Sequence, residues 1–212
     1  MSFTTETLNI LKNMASVNQG LYFRKGNRLR TLSVLKNIFV VAEIQDEIPR
    51  DFAIYDLNEL LGTMSLFSKP NLSFNEDHIL IQEGKAKVKY FYSSPAVVVS
   101  PPDKDIVLTD PKLTFELTEA NITQIQKAAA TLKLKELSIG QDRLTALNTG
   151  GVGNQITIEV ETEGSMSDEK IVKIENLKLI DGAYTVKVFE QAVEFTHMTK
   201  PGLVYLVTVE AQ

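Results

Sequence analysis

The chain has 212 residues, of which 43% are hydrophobic and 23% charged, and its formal net charge at pH 7 is −5. This composition can supply the core of one large domain or two small ones, and no apolar run approaches the roughly 20 residues of a membrane-spanning helix. The absence of cysteine excludes disulfides, thiolate metal ligands and cysteine nucleophiles. An acidic balance also argues against a basic surface over the whole protein, although it leaves room for a local basic stripe.

In the first half of the chain, the spacing of apolar residues predicts two helices separated by short strands. Residues 4–17 carry Leu8, Leu11 and Ala15 at three- and four-residue intervals, which is typical of a helix with one buried face. Residues 56–67 form the second predicted helix, with the acidic Asp56 in its first turn. Strands are predicted over residues 21–24, 29–35, 38–44, 71–75, 78–82 and 86–93, with a hairpin turn at residues 25–27.

The middle of the chain has the composition of a connector. Residues 94–112 contain Pro95, Pro101, Pro102 and Pro111, and proline stiffens the backbone and lacks an amide donor. We therefore predict an N-terminal domain over residues 1–93, an extended connector over residues 94–112 and a C-terminal domain over residues 113–212.

The second half repeats the order of the first. Residues 117–131 predict a third helix with Thr118 as its N-cap, and residues 175–179 correspond to the second helix in a shorter form. Strands are predicted over residues 134–139, 144–147, 156–163, 170–174, 183–190, 193–195 and 204–209. Matching segments lie about 115–120 residues apart, which indicates a duplication. The predicted fold is α+β, with two similar domains that each place two helices on antiparallel sheet.

No pattern in the sequence indicates catalysis. His78 and His197 have no metal-ligand or triad spacing. The glycines at 150, 151 and 153 lack a following Lys-Ser/Thr pair and precede a strand, so they predict a glycine-rich hairpin and no phosphate loop. We predict no enzymatic activity, no metal site and no cofactor. An enzyme for a small molecule, with a site of unrecognised type, stays open as an alternative.

Two predicted strands carry like charges at every second position, so each set of charges projects from one face. Taken singly, each is an ordinary solvated strand face. Taken together, a basic edge in the first half and an acidic edge in the second would form a head-to-tail contact between subunits that can close into a ring. The residues are Lys85, Lys87, Lys89, Glu159, Glu161 and Glu163.

Basic residues also occur on the polar faces of the first and third predicted helices. One lysine on a helix is ordinarily a solubility feature, but similar placement on duplicated helices favours a shared positive surface. If these helices line a channel, the charges would attract phosphates without reading bases. The candidate DNA-facing residues are Lys12, Lys127, Arg24, Lys25, Arg28, Lys133 and Lys135.

Several segments resemble the sliding clamps of large myovirus-type bacteriophages. They include Leu-Lys-Asn-Met-Ala at residues 11–15 and, most specifically, Ala-Ile-Tyr-Asp-Leu-Asn at residues 53–58. The likeness is strongest in the first 70 residues and spans most of the chain. Lys12 and Lys127 match basic positions on the inner helices of the family, whereas Ala130 stands where a basic residue is expected.

The resemblance implies a homotrimeric ring of the DNA clamp fold that encircles double-stranded DNA without sequence specificity. It implies an ATP-dependent clamp loader, a replicative DNA polymerase whose tail peptide docks near the connector and the C-terminus, and, in some phages, support of late transcription. The expected location is the cytoplasm of the infected bacterial host, with no membrane partner. A structural oligomeric virion protein is the alternative. The expected peptide pocket comprises Val98, Val99, Val107, Leu108, Val207 and Val209.

Overall fold

The computed structural model describes residues 1–104 and 106–210. Asp105 of the predicted connector and the last two residues of the predicted C-terminal domain lie outside the described residues. The chain divides into two compact units, Met1–Pro102 and Asp103–Gln212. Both units contain antiparallel strands and α-helix, which confirms the predicted α+β class.

Unit 1, Met1–Pro102, contains two helices that pack against each other, and the first of them also packs against a long hairpin. Strand β2 pairs with β3, β1 pairs with β4, and β5, β6 and β7 form a three-stranded sheet. The elements are α1 (Thr5–Val17), β1 (Leu21–Phe23), β2 (Gly26–Leu32), β3 (Ile38–Ile48), β4 (Phe52–Ile54), α2 (Leu57–Met64), β5 (Asn71–Phe74), β6 (His78–Glu83) and β7 (Ala86–Phe91).

One predicted turn in unit 1 is wrong. Residues 25–27 do not close a hairpin, because β1 pairs with the distant β4 in the register Leu21 opposite Ile54. The hairpin turn comes later, between β2 and β3, where Lys36 adopts a φ of 57°. Local turn residues cannot predict a pairing partner some thirty residues away.

Helices α1 and α2 begin where their sequences predict. The Thr4 hydroxyl accepts a hydrogen bond from the Thr7 amide, and the Asp56 carboxylate accepts one from the Glu59 amide, so each cap satisfies an amide that the helix leaves unpaired. Asp46 of β3 also accepts a hydrogen bond from the Thr4 amide at 2.8 Å. That contact shows which face of the β2–β3 hairpin α1 covers.

The β2–β3 hairpin has one face toward α1 and one face away from it. Leu29 and Thr31 are buried and lie opposite Ala42 and Val40, on the same side as Asp46 because side chains alternate along a strand. Arg28 therefore projects from the other face. This alternation separates the arginines of β2 from the surface of α1.

Unit 2, Asp103–Gln212, contains one α-helix among the described residues. Its strands form a sheet in the order β11-β10-β9-β13 and a series in the order β12-β8-β14-β15-β16. The elements are β8 (Leu113–Leu117), α3 (Glu119–Leu132), β9 (Glu136–Gly140), β10 (Arg143–Leu147), β11 (Ile156–Glu159), β12 (Thr162–Gly164), β13 (Lys170–Lys173), β14 (Tyr184–Val188), β15 (Ala192–His197) and β16 (Val204–Thr208).

Unit 2 repeats unit 1 with one element reduced. Strand β9 pairs with β13 as β1 pairs with β4, but the counterpart of α2 is a single 3₁₀ turn, Ile174–Asn176. Beyond this turn, two tyrosines form hydrogen bonds with the backbone of Ile180. Its carbonyl accepts from the Tyr184 hydroxyl, and its amide donates to the Tyr205 hydroxyl. Burial raises the pKa of both tyrosines, which therefore stay neutral donors and acceptors. The prediction of two full helices per domain is wrong for this half.

Two strand predictions in unit 2 also need correction. Residues 113–117 form β8, which was not predicted, and Leu117 ends that strand instead of starting α3. Residues 156–163 are not one strand, because the chain leaves β11 after Glu159 and pairs again as β12 with β8. Among the described residues, no helix is both long enough and apolar enough to span a membrane.

Candidate functional site

Lys12 and Lys127 are exposed on the outer faces of α1 and α3. They are not strictly equivalent, since Lys12 follows the N-cap Thr4 by eight residues and Lys127 follows the N-cap Thr118 by nine. One residue is about 100° of helix rotation, yet both side chains remain on the solvent side. Helix α2 contributes no lysine or arginine.

Two further predicted DNA-facing lysines lie just beyond α3. Lys133 is the C-terminal cap of the helix and adopts a left-handed φ of 57°, and Lys135 donates its backbone amide to the Leu147 carbonyl at 3.1 Å. Both side chains are exposed. Cations near this end of a helix are favoured by the helix dipole, so Lys133 and Lys135 add positive charge just beyond α3, whose last turn holds no basic residue.

Among the predicted DNA-facing residues, Arg24 and Lys25 lie between β1 and β2, and Arg28 lies on β2. Arg28 projects from the hairpin face opposite α1, as the alternation in β2 shows. Arg24 lies 5.0 Å above the ring of Tyr22, and the Lys25 amide donates to Asp51 at 2.7 Å. Arg28 thus lies on another strand face than the buried Leu29, and its predicted DNA contact, like those of Arg24 and Lys25, stays a prediction.

The basic edge predicted in the first half is a free strand edge in unit 1. Strand β7 pairs with β6 and with no other strand of the described residues. Lys87 and Lys89 are exposed on β7, and Lys85 is exposed in the turn before it. Phe91 ends the strand with 61% of its surface exposed. The edge thus combines positive charge with an apolar end.

The acidic set in the second half is divided between two strands. Glu159 lies on β11, whose single partner among the described residues is β10, and it stands opposite Arg143. Glu163 lies on β12 opposite Thr114 of β8, and Glu161 falls between the strands. All three glutamates are exposed, but only Glu159 belongs to the β11 edge.

Two residues of the predicted peptide pocket are buried in the core. Val207 has 0% of its surface exposed and Val98 has 8%, so neither lines an open surface. In contrast, Val107 is 77% exposed, and Val99, Leu108 and Val209 are partly exposed. Val207 is the last of three consecutive buried residues of β16, and its part in a peptide pocket stays a prediction.

One exposed apolar feature of unit 1 was missed in the sequence. Val34 is 68% exposed and Leu35 is 82% exposed, both in the β2–β3 turn. The Ser33 hydroxyl accepts hydrogen bonds from the amides of Asn37 and Ile38, each at 3.0 Å, which stiffens this turn. The signal was present as two apolar residues between Ser33 and Lys36, but a predicted strand over residues 29–35 concealed it.

The two histidines have structural surroundings. The Nδ1 atom of His197 accepts hydrogen bonds from the amides of Thr199 and Lys200, each at 3.2 Å. The ring is buried. His78 pairs with Asp77 at 2.6 Å, and this hydrogen bond lowers the pKa of Asp77. Among residues 1–104 and 106–210, no group of three or more His, Cys, Asp or Glu side chains could hold a metal ion.

Comparison with known proteins gives consistent matches. Residues 4–99 match the family model described as DNA polymerase processivity factor. The sliding clamp of Vibrio phage KVP40 is 29% identical over 199 residues, which cover 89% of this chain and 90% of that protein. The sliding clamp of Escherichia phage RB69 is 26% identical over 197 residues, which cover 88% of this chain and 86% of that protein.

A solved structure shows the same fold at low identity. The A. fulgidus PCNA, solved with the C-terminal region of FEN-1 bound, superposes with a TM-score of 0.71 and 11% identity. The match covers 97% of this chain and 95% of that chain. The DNA clamp fold predicted from the sequence is confirmed.

Proposed function

We propose that this chain is a phage-type sliding clamp, a processivity factor of DNA replication, and that three copies close into a ring around double-stranded DNA. The match of residues 4–99 to the processivity-factor family model and the likeness to the sliding clamps of phages KVP40 and RB69 support this proposal. The ring would hold the replicative DNA polymerase on its template by topological linkage and would carry out no chemistry itself. The observation that carries the proposal is a basic edge strand in unit 1, β7, and an edge strand in unit 2, β11, that ends in Glu159, each with one strand partner among the described residues. Two different edges on one subunit would make a head-to-tail contact, and such a contact closes into a ring when the rotation between subunits allows it.

The positions of the basic residues suit a ring that slides. Lys12 and Lys127 are exposed on helices, while the chain as a whole has a charge of −5. Long, flexible lysines attract the phosphate backbone without recognising bases. An otherwise acidic body limits the grip on DNA, so the helix lysines can guide the duplex and still release it.

The subunit contact would pair β7 of one subunit with β11 of the next in antiparallel register. Lys87 or Lys89 then stands beside Glu159, and the exposed edges gain backbone hydrogen bonds. Glu163 would take no part, because it lies on β12, which belongs to a different sheet from β11.

Cysteine pairs test this contact directly, since the chain contains no cysteine of its own. Directly opposed residues in an antiparallel pair have Cα atoms roughly 4.5–5.5 Å apart, within the range of a disulfide. We expect either Lys87→Cys/Glu159→Cys or Lys89→Cys/Glu159→Cys to form covalent trimers on oxidation, seen on a non-reducing gel.

The matched control is Lys87→Cys/Glu163→Cys, which should stay uncrosslinked. Multi-angle light scattering of the unmodified chain should give the mass of a trimer. A monomeric mass, or efficient cross-linking through Glu163 and none through Glu159, would contradict the proposed contact.

A peptide contact with the polymerase is the second part of the proposal. The A. fulgidus PCNA structure holds the C-terminal region of FEN-1, which supports peptide docking as a mode of partner binding on this fold. In this chain, the exposed apolar turn with Val34 and Leu35 and the partly exposed Val99 of the connector offer apolar surface within unit 1. We assign the docking of the polymerase tail to this surface.

The remaining parts of the proposal follow the resemblance to phage clamps. They are loading by an ATP-dependent clamp loader, support of late transcription, and action in the cytoplasm of the infected bacterial host. Loader-dependent retention of the ring on circular DNA tests the first, and transcription from late promoters with and without the clamp tests the second.

A further inference from the structure

Asn18 joins three segments of unit 1 through one buried side chain. It is 6% exposed and caps the C-terminal end of α1. Its Nδ2 donates to the carbonyl oxygens of Leu32 at 2.9 Å and Val99 at 2.8 Å, and its Oδ1 accepts from the Gly20 amide at 3.0 Å. Both donors and the carbonyl of the amide are thus in use.

The start of the connector packs on unit 1 beside this residue. The Ser93 amide donates to the Ala53 carbonyl at 2.9 Å, and the short 3₁₀ turn Pro95–Val97 contacts β4. Val98 is buried against Gly20, where an added Cβ would stand 3.2 Å from the Val98 Cγ1. Residues 94–99, the first part of the predicted extended connector, are therefore held by the body of unit 1.

The bonds of Asn18 also place the connector beside the apolar turn. Leu32 is the last residue of β2, directly before Ser33, whose hydroxyl fastens the turn through the amides of Asn37 and Ile38. Because the Leu32 and Val99 carbonyls share one donor nitrogen, the connector backbone lies against the base of that turn. One side chain thus sets the spacing between the two apolar parts of the surface.

We propose that Asn18 is a positioning residue for partner docking, which holds the connector at Val99 against the β2–β3 turn so that a peptide meets a preformed surface. This role rests on the proposed peptide contact with the polymerase. Ordering flexible backbone has an entropic cost, and a surface ordered before binding avoids that cost when the partner arrives. Asn18 would act without touching the peptide.

The first test measures the connector without any partner. A nitroxide spin label on Ser100→Cys reports the segment next to Val99, and a label on Lys69→Cys reports an unrelated exposed position of unit 1. We expect Asn18→Ala to make the label at position 100 more mobile and to leave the label at position 69 unchanged. An unchanged spectrum at position 100 overturns the proposal.

The second test measures docking. A fluorescent peptide with the C-terminal sequence of the phage's replicative polymerase is titrated with the trimeric protein, and Asn18→Ala should raise its Kd by about tenfold. Asn176→Ala, which removes an amide of similar burial from unit 2, is the control and should leave the Kd unchanged. A mobile connector with an unchanged Kd overturns the positioning role.

A second variant guards against a folding defect. Gly20→Ala keeps the Asn18 side chain but places a methyl group against Val98, so it should loosen the same contact and weaken the peptide in the same direction. If the unaltered protein binds no such peptide, the polymerase contact itself is contradicted and the docking role of Asn18 falls with it. The spin-label result distinguishes that outcome, because connector mobility needs no peptide.

Discussion

Asp56 shows how one side chain sets where a helix begins. Its Oδ1 accepts from the Glu59 amide at 3.0 Å, and its Oδ2 accepts from the Gln19 side chain at 2.6 Å. The hydrogen bond from Glu59, followed by that from Gln19, lowers the pKa of Asp56 below its ordinary value. A carboxyl with a lowered folded-state pKa stabilises the fold above the unfolded-state pKa, and this contribution is lost as pH falls through the folded-state pKa.

Substitution of Asp56 should separate capping from charge. Asp56→Ala should lower the free energy of unfolding by about 1 kcal/mol at neutral pH, because the Glu59 amide loses its acceptor. Asp56→Asn should keep most of that stability, since asparagine caps about equally well, but should lose less stability than the unaltered protein on acidification. Urea unfolding from about pH 7 to about pH 3 measures both; an Asp56→Ala variant as stable as the parent would contradict the capping role.

At the scale of elements, the passage from β11 to β12 decides which glutamates share an edge. The chain leaves one sheet after Glu159 and enters another at Thr162, where the Thr162 amide donates to Asp142 at 3.0 Å. Strand β12 then ends at Gly164, which has a φ of 102° beside the Lys112 backbone. The Asp142 carboxylate therefore fixes the start of β12, and Gly164 allows the end of the strand to approach the Lys112 backbone.

Replacing that glycine should disturb the β12–β8 pairing. A Cβ at position 164 would stand 2.2 Å from the Lys112 carbonyl oxygen, so Gly164→Ala should cost about 3 kcal/mol through a backbone clash added to strain. Gly150→Ala is the control, because its φ is 83° but no atom lies within 4 Å; it should cost about 1 kcal/mol. Thermal unfolding measures both, and equal losses would show that the contact with Lys112 is unimportant.

At the scale of the whole molecule, the proposed clamp would retain DNA through a few charges in an acidic protein. Lys12 and Lys127 are exposed on α1 and α3, and three subunits would repeat each of them three times around a ring. Weak contacts that are repeated around a closed ring can guide DNA without a tight grip. The resulting affinity should depend strongly on salt.

The double variant Lys12→Gln/Lys127→Gln should reduce the lifetime of loaded clamps on circular DNA and flatten its dependence on salt, because fewer counterions are released. Lys36→Gln/Lys112→Gln removes the same charge from exposed positions outside the helices and should retain parental behaviour. Retention on nicked circles, measured by gel filtration over a salt series, gives the lifetime of the loaded clamp and its dependence on salt for each variant. Equal losses in the two variants would point to net charge instead of the helix lysines.

The sequence by itself determined the features that depend on local chemistry. Thr118 was predicted as the cap of α3, and Asp56 was placed in the first turn of α2, one position from its observed role as a cap. Such predictions succeed because a cap needs only an amide three residues ahead. The duplicated pattern and the segment at residues 53–58 pointed to the clamp fold. The lysines of β7 were placed correctly on an exposed strand, because period-two alternation requires no knowledge of the partner strand.

Only the tertiary structure decided the features that depend on distant partners. The pairing of β1 with β4, the division of residues 156–163 between two sheets, and the burial of Val207 follow from which strands meet, and that is invisible to local pattern. Where a second helix was expected in unit 2, the chain forms a single 3₁₀ turn, and Ile180 beyond it forms hydrogen bonds with two buried tyrosines. The hydrogen bond from Asn18 to Val99 joins residues that are 81 positions apart. No spacing rule could therefore reveal that the first residues of the connector pack on unit 1.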